Sequence, residues 1–125
     1  YKRISLIQGS SIAEDIFAQV LEHTKGKSKI MVILDSNHTG THVLKELEMY
    51  SKLVTKDSYL IILDTIIEDM DQSLLGDRSW KKGDNPKTAI YEFLKHNDRF
   101  EIDTRIDDKI LLSHGPSGYL KCIKD

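Results

Sequence analysis

The sequence predicts an α/β fold: a mostly parallel sheet with helices on both faces and an antiparallel hairpin at the C-terminal end. Two observations carry that prediction. The runs Ile30–Leu34 (IMVIL) and Tyr59–Leu63 (YLIIL) are uninterrupted and apolar. They are too short for helices and too apolar for strands with one wet face, as in central strands covered on both sides. Between them, Val43, Leu44, Leu47 and Tyr50 recur at helical spacing. Strand–helix alternation of this kind implies crossovers that join parallel strands.

The remaining elements follow in order. Ile4–Ile7 is a short β-rich run ending in a turn at Gly9. Ile12, Ile16, Phe17, Val20 and Leu21 form the next helical stripe, with Ser10 or Ser11 as cap, Glu14 completing a capping box and Gly26 as stop. After the second apolar run comes a polar stretch, Glu68 to Asn85, that contains Gly76, Trp80 and Gly83. It is long for a simple connection and could be a lid or a partly ordered loop. Asn85 is placed to cap, and Pro86 to begin, a helix whose inner face is Ala89, Ile90, Phe93 and Leu94. Phe100 to Ile106 alternates as a strand would, and Ile110–Leu112 pairs with Tyr119–Ile123 in a hairpin around Gly115-Pro116-Ser117-Gly118. The predicted order is β-α-β-α-β-α-β-β, in a single domain spanning residues 1–125.

Composition removes several functions. A formal net charge of −2 argues against a nucleic-acid or anionic-membrane surface, which needs a concentrated basic face. The local cluster Lys25, Lys27 and Lys29 reads as a solvated turn. Cys122 stands alone, so neither an intrachain disulfide nor a cysteine zinc site can form, which suits a reducing, cytoplasmic setting. No apolar run approaches the roughly 20 residues of a membrane span.

Open α/β sheets bind ligands at the carboxyl ends of their strands, and three segments fall there. Gly9-Ser10-Ser11 could offer close backbone approach and free N–H groups, or could simply be a turn glycine followed by a capping serine. Asp35-Ser36-Asn37-His38 follows the first apolar run; a carboxylate leaving a buried strand must pair, bind a cation or stay at the wet edge. His38 and His42 have the spacing to share a helix face and a metal, although exposed or packing histidines have that spacing too. Asp64-Thr65 follows the second run. If the two strands are neighbours, Asp35 and Asp64 face one crevice and could hold a magnesium-type ion; otherwise each caps the element that follows it.

These residues carry a resemblance. LDSNHTGTHVLKELEMYSKLVTKDSYLIILDT, Leu34 to Thr65, resembles the cephalosporin hydroxylase family, with the DSNHT block its most specific part. GPSGYLKCI, Gly115 to Ile123, looks like the family's closing hairpin, and IQGSS, Ile7 to Ser11, like its earlier strand–turn–helix. The family is similar to class I, Rossmann-like S-adenosylmethionine-dependent methyltransferases, including the metal-dependent catechol O-methyltransferase type. Relatives O-methylate sugars such as rhamnose. The resemblance implies that Gly9, Ser10 and Ser11 lie near the adenine of the cofactor, that Asp35 and Asp64 are metal carboxylates, and that His38 is catalytic near the acceptor hydroxyl. The expected cofactor is S-adenosylmethionine, with Mg as an accessory.

Two departures stand beside it. The resembled pattern carries a Glu–Asp pair where this chain has Leu63-Asp64, and Leu63 cannot ligate a metal. The glycine-rich turn after a first strand and the acidic residue after a second are also missing, so the chain is expected to be the C-terminal part of such a domain, without activity by itself. Expected partners are a small-molecule or sugar hydroxyl substrate and a second copy of the chain in a homo-oligomer, with no nucleic acid and no membrane. One rival is a non-catalytic binding or assembly domain. Another is a receiver-like domain with Asp35 as phosphate acceptor, for which Gly9-Ser10-Ser11 lacks the required acidic pair.

Overall fold

The computed structural model describes residues 3–125. Four strands, β1 (Val32–Leu34), β2 (Tyr59–Ile62), β3 (Phe100–Ile102) and β4 (Tyr119–Cys122), form one sheet in the order β1-β2-β4-β3. β1 and β2 pair in parallel, with Val32 opposite Leu60 and Leu34 opposite Ile62. β4 runs antiparallel to both of its neighbours. Four α-helices accompany the sheet: α1 (Glu14–Thr24), α2 (Gly40–Tyr50), α3 (Pro86–Leu94) and α4 (Thr104–Ile110).

The stripes read from the sequence build the core. Val43, Leu47 and Tyr50 of α2 and Ala89, Ile90 and Phe93 of α3 enclose Leu34, Leu60, Ile62, Phe100, Leu120 and Cys122 of the sheet. Leu47, Leu60, Ile90 and Leu120 are completely buried, each contributing about 1.5–3 kcal/mol of hydrophobic stabilisation. Ile12, Phe17 and Val20 pack against the same cluster, with the Phe17 ring edge-on to Tyr50 at 5.1 Å. Alternation along the strands leaves Tyr59, Ile61, Tyr119 and Lys121 half-buried on the opposite face, where Ile33 is 54 % exposed. α4 reaches that face through Tyr59, whose hydroxyl donates to Asp103 Oδ2 at 2.8 Å. Among the described residues, no helix is long and apolar enough to cross a membrane.

Asn85 caps α3 as expected: its side chain accepts from the N–H groups of Lys87 and Thr88 while Thr88 returns a bond to its backbone, and Pro86 occupies the first turn. Three other expectations need correction. Ile4–Ile7 forms no strand, and Leu6 is 93 % exposed; the segment has β-prone residues but no sheet partner to satisfy its backbone. Ser11 and Glu14 form no capping box, because α1 begins later with Ala13 as its N-cap and no side-chain cap. The antiparallel pair at the C-terminal end is β3 with β4, not a hairpin containing Ile110–Leu112. The strand predicted over Phe100–Ile106 stops at Ile102 because Asp103 accepts from the Arg105 N–H and starts α4 there. Leu111 and Leu112 are consequently left exposed in the connection.

Asp103 has a consequence for pH. The Arg105 guanidinium, bonded at 2.8 and 2.9 Å, and then the Tyr59 hydroxyl hold its carboxyl well below the usual aspartate range. A carboxyl depressed by folding contributes stability that is complete above its unfolded value of about 4 and is lost as the pH falls from there toward the folded value. Acid melts followed by circular dichroism should show stability declining below about pH 4, with a shallower decline in Asp103→Asn. An identical acid limb in the variant would show that this carboxylate does not govern it.

Candidate functional site

β1 and β2 are adjacent and parallel, so the residues that follow them emerge side by side at one edge of the sheet. Asp35, His38 and Asp64 converge there, each offering a donor atom, all within 4.8 Å of one another. His38 Nε2 lies 2.8 Å from Asp64 Oδ2 and 3.7 Å from Asp35 Oδ1. His114 brings Nδ1 to 3.5 Å from Asp64 Oδ1. Asp64 takes a left-handed backbone conformation, φ 56°, which Asp tolerates better than most residues.

The geometry around His38 is unusual. Its Nε2 is buried and, among the described residues, has no hydrogen-bond partner. The contact with Asp64 is close in distance but lacks hydrogen-bond direction. A buried imidazole nitrogen facing two carboxylates must share a proton or a cation with them, since lone pairs opposed at this distance repel. The two carboxylates, Asp35 and Asp64, supply hard oxygen donors of the kind a divalent cation takes, with the imidazole nitrogen beside them. The chemistry of the residues therefore fits a metal.

His42 takes a different direction from His38, so the two histidines do not share a ligand. His42 Nε2 lies 3.1 Å from Ser11 Oγ and 3.7 Å from Glu46 Oε1. Ser36 Oγ donates to Glu46 Oε1 at 2.7 Å, and the Tyr50 hydroxyl donates to the Ser11 carbonyl at 2.8 Å. Burial and then the Glu46 charge raise the Tyr50 pKa above its ordinary value. This network ties the Gly9-Ser10-Ser11 turn to the end of β1. Ser11, Asp35, Ser36 and Glu46 line one groove of about 310 Å³ along β1. The turn does not itself open a helix, since α1 starts at Glu14.

The stretch from Glu68 to Asn85 is an anchored strap. Leu75 within it and Ile67 just before it are buried. Glu68 accepts from the Gly83 N–H at 2.8 Å and from the Asn85 side chain, and Lys87 pairs with Asp69 at 2.6 Å. Asp84 Oδ1 accepts from the Gly40 N–H at 2.8 Å, joining the strap to the start of α2. A Cβ on Gly40 would stand 2.8 Å from that same oxygen, so glycine permits the approach. The strap carries Trp80 to the site, its ring edge-on to His38 with centroids 5.5 Å apart.

Sequence reasoning singled out Asp35, His38 and Asp64 but not Glu46, His114 or Trp80. Glu46 was legible in part, since it falls on the apolar stripe between Val43 and Tyr50 and is 1 % exposed. His114 and Trp80 come from distant loops and carry no local signal.

The sheet, with β1 and β2 parallel and the C-terminal strands antiparallel, gives a mixed α/β, Rossmann-like fold. The family model described as rhamnosyl O-methyltransferase/CmcI matches residues 1–123, and the chain belongs to that family. The resemblance carried by the DSNHT block is thereby borne out. Neither a curated protein nor a solved structure gives a significant match to the chain.

Proposed function

We propose that this chain provides the acceptor side of an S-adenosylmethionine-dependent O-methyltransferase that acts on a sugar hydroxyl. Family membership supports methyl transfer to oxygen. The observation that carries the site assignment is the buried, unpartnered His38 Nε2 between Asp35 and Asp64. In this reading Asp35 and Asp64 hold a divalent cation, Mg or a first-row metal. When bound, the cation would lower the pKa of the acceptor hydroxyl and orient it. His38 Nε2 takes the hydroxyl proton, and the neighbouring carboxylates stabilise the imidazolium that results. The oxygen then attacks the methyl carbon in line with the sulfonium: the new C–O bond forms as the C–S bond breaks, and its electron pair returns to sulfur. Gly9, Ser10 and Ser11 flank the adenine, with Ser11 fixed by His42 and Tyr50. The compartment consistent with this chemistry is the cytoplasm.

Thermal melting with S-adenosylhomocysteine tests the cofactor assignment. A ligand that binds only the folded state stabilises it by about 2.7 kcal/mol at a hundredfold excess over its dissociation constant. The expected result is a rise in melting temperature that Ser11→Ala diminishes. A cooperative melt unmoved by the ligand would refute cofactor binding by this chain.

A further inference from the structure

We propose that Trp80 is a positioning residue that fixes the orientation of the His38 imidazole. As a role for His38, this rests on the reading above; as a statement about the ring's conformation, it stands independently of it.

Among the described residues, no hydrogen bond reaches His38, and its Nε2 is orphaned. A functional histidine ordinarily has its orientation set by a hydrogen bond on its other nitrogen, from a carboxylate or a backbone carbonyl. Here packing substitutes for that bond. The Trp80 ring stands at 84° to the imidazole, centroids 5.5 Å apart, a favourable edge-to-face arrangement. Arg78 then holds Trp80, its guanidinium carbon 4.7 Å from the ring centroid.

The backbone that carries Trp80 is itself constrained. Lys81 and Asp84 exchange two backbone hydrogen bonds, both 3.0 Å, and the Asn85 side chain donates to the Lys81 carbonyl at 3.0 Å. Asp84 is the residue bonded to the Gly40 N–H, two residues beyond His38. Ring and imidazole therefore hang from opposite sides of one hydrogen bond, so their relative position is set by the strap–helix junction and not by solvent.

The test is side-chain NMR of His38 in the full chain, using scalar couplings about χ1 and ring contacts. One rotamer is expected in the wild type and in Trp80→Phe, which keeps an aromatic ring, whereas Trp80→Ala and Trp80→Leu should show averaging between rotamers. Leucine keeps apolar bulk without a ring, so it separates the ring from the mere presence of an apolar side chain if the alanine variant folds poorly. A single unchanged rotamer in Trp80→Leu would overturn the proposal. A parallel titration with Mn²⁺, read through fluorescence of Trp80, the chain's single tryptophan, tests the cation assignment separately. Absence of quenching would refute that assignment while the rotamer comparison still decides the role of Trp80.

Discussion

Asp64→Asn is expected to weaken Mn²⁺ binding by more than about 100-fold, beyond the roughly 10–100-fold that loss of an outer-shell partner costs a metal site. Asp64 is the hub of the cluster, with His38 at 2.8 Å and His114 at 3.5 Å. Asparagine is the informative substitution because position 64 has φ 56°, and Asn tolerates that conformation while Ala does not. The change thus removes charge without forcing the backbone to move. Isothermal titration calorimetry with Mn²⁺ reads the affinity, and circular dichroism confirms an unaltered fold. Binding equal to the wild type would remove Asp64 from the site and leave no pair of strand-end carboxylates to hold a cation.

Gly118→Ala should produce the largest loss of stability. A Cβ at this position would land inside the contact distance of the Ile62 carbonyl oxygen, and 2.9 Å from the Gly115 carbonyl oxygen. Both obstacles are backbone, so no side chain can swing aside. Gly118 also accepts a hydrogen bond from the Ile62 N–H at 2.8 Å, which fastens the entry of β4 to the end of β2. Overpacking of this kind costs about 3 kcal/mol, equivalent to a fall in melting temperature on the order of 10 °C for a domain of this size. Because Ile62 is two residues before Asp64, Mn²⁺ affinity should fall as well. A melting curve coincident with the wild type would mean that the β2–β4 junction has room the structure does not show.

Both predictions concern the same edge of the sheet, and its parts differ in how visible they are from sequence. Asp35 and Asp64 were legible because each ends an apolar run that forms a strand, and ligands gather at strand ends. The first run forms an edge strand with Ile33 exposed, not the doubly covered central strand its composition predicts. Their adjacency depended on β1 pairing directly with β2. His38 was legible only as one member of a polar block. What distinguishes it from His42 is direction: one imidazole faces Asp64, the other Ser11 and Glu46. Helical spacing cannot supply that distinction, since His38 precedes α2 and is free of its period.

The sequence by itself determined the helical faces of α2 and α3, the cap at Asn85, and the strands β1, β2 and β4, all of which follow from apolar periodicity and local hydrogen bonding. Tertiary structure decided the rest. Ile4–Ile7 has strand-forming residues but no partner in the sheet, so propensity alone left it irregular. Asp103 turned the predicted strand into α4 by accepting the Arg105 N–H and binding Tyr59 across 44 residues. The Glu68–Asn85 stretch became a fixed strap through contacts with α2 and α3 that no local pattern encodes. The physical reason is common to all three: periodicity reports which residues must leave water, whereas a β edge, a carboxylate or a loop is satisfied by partners that only the closed chain brings within reach.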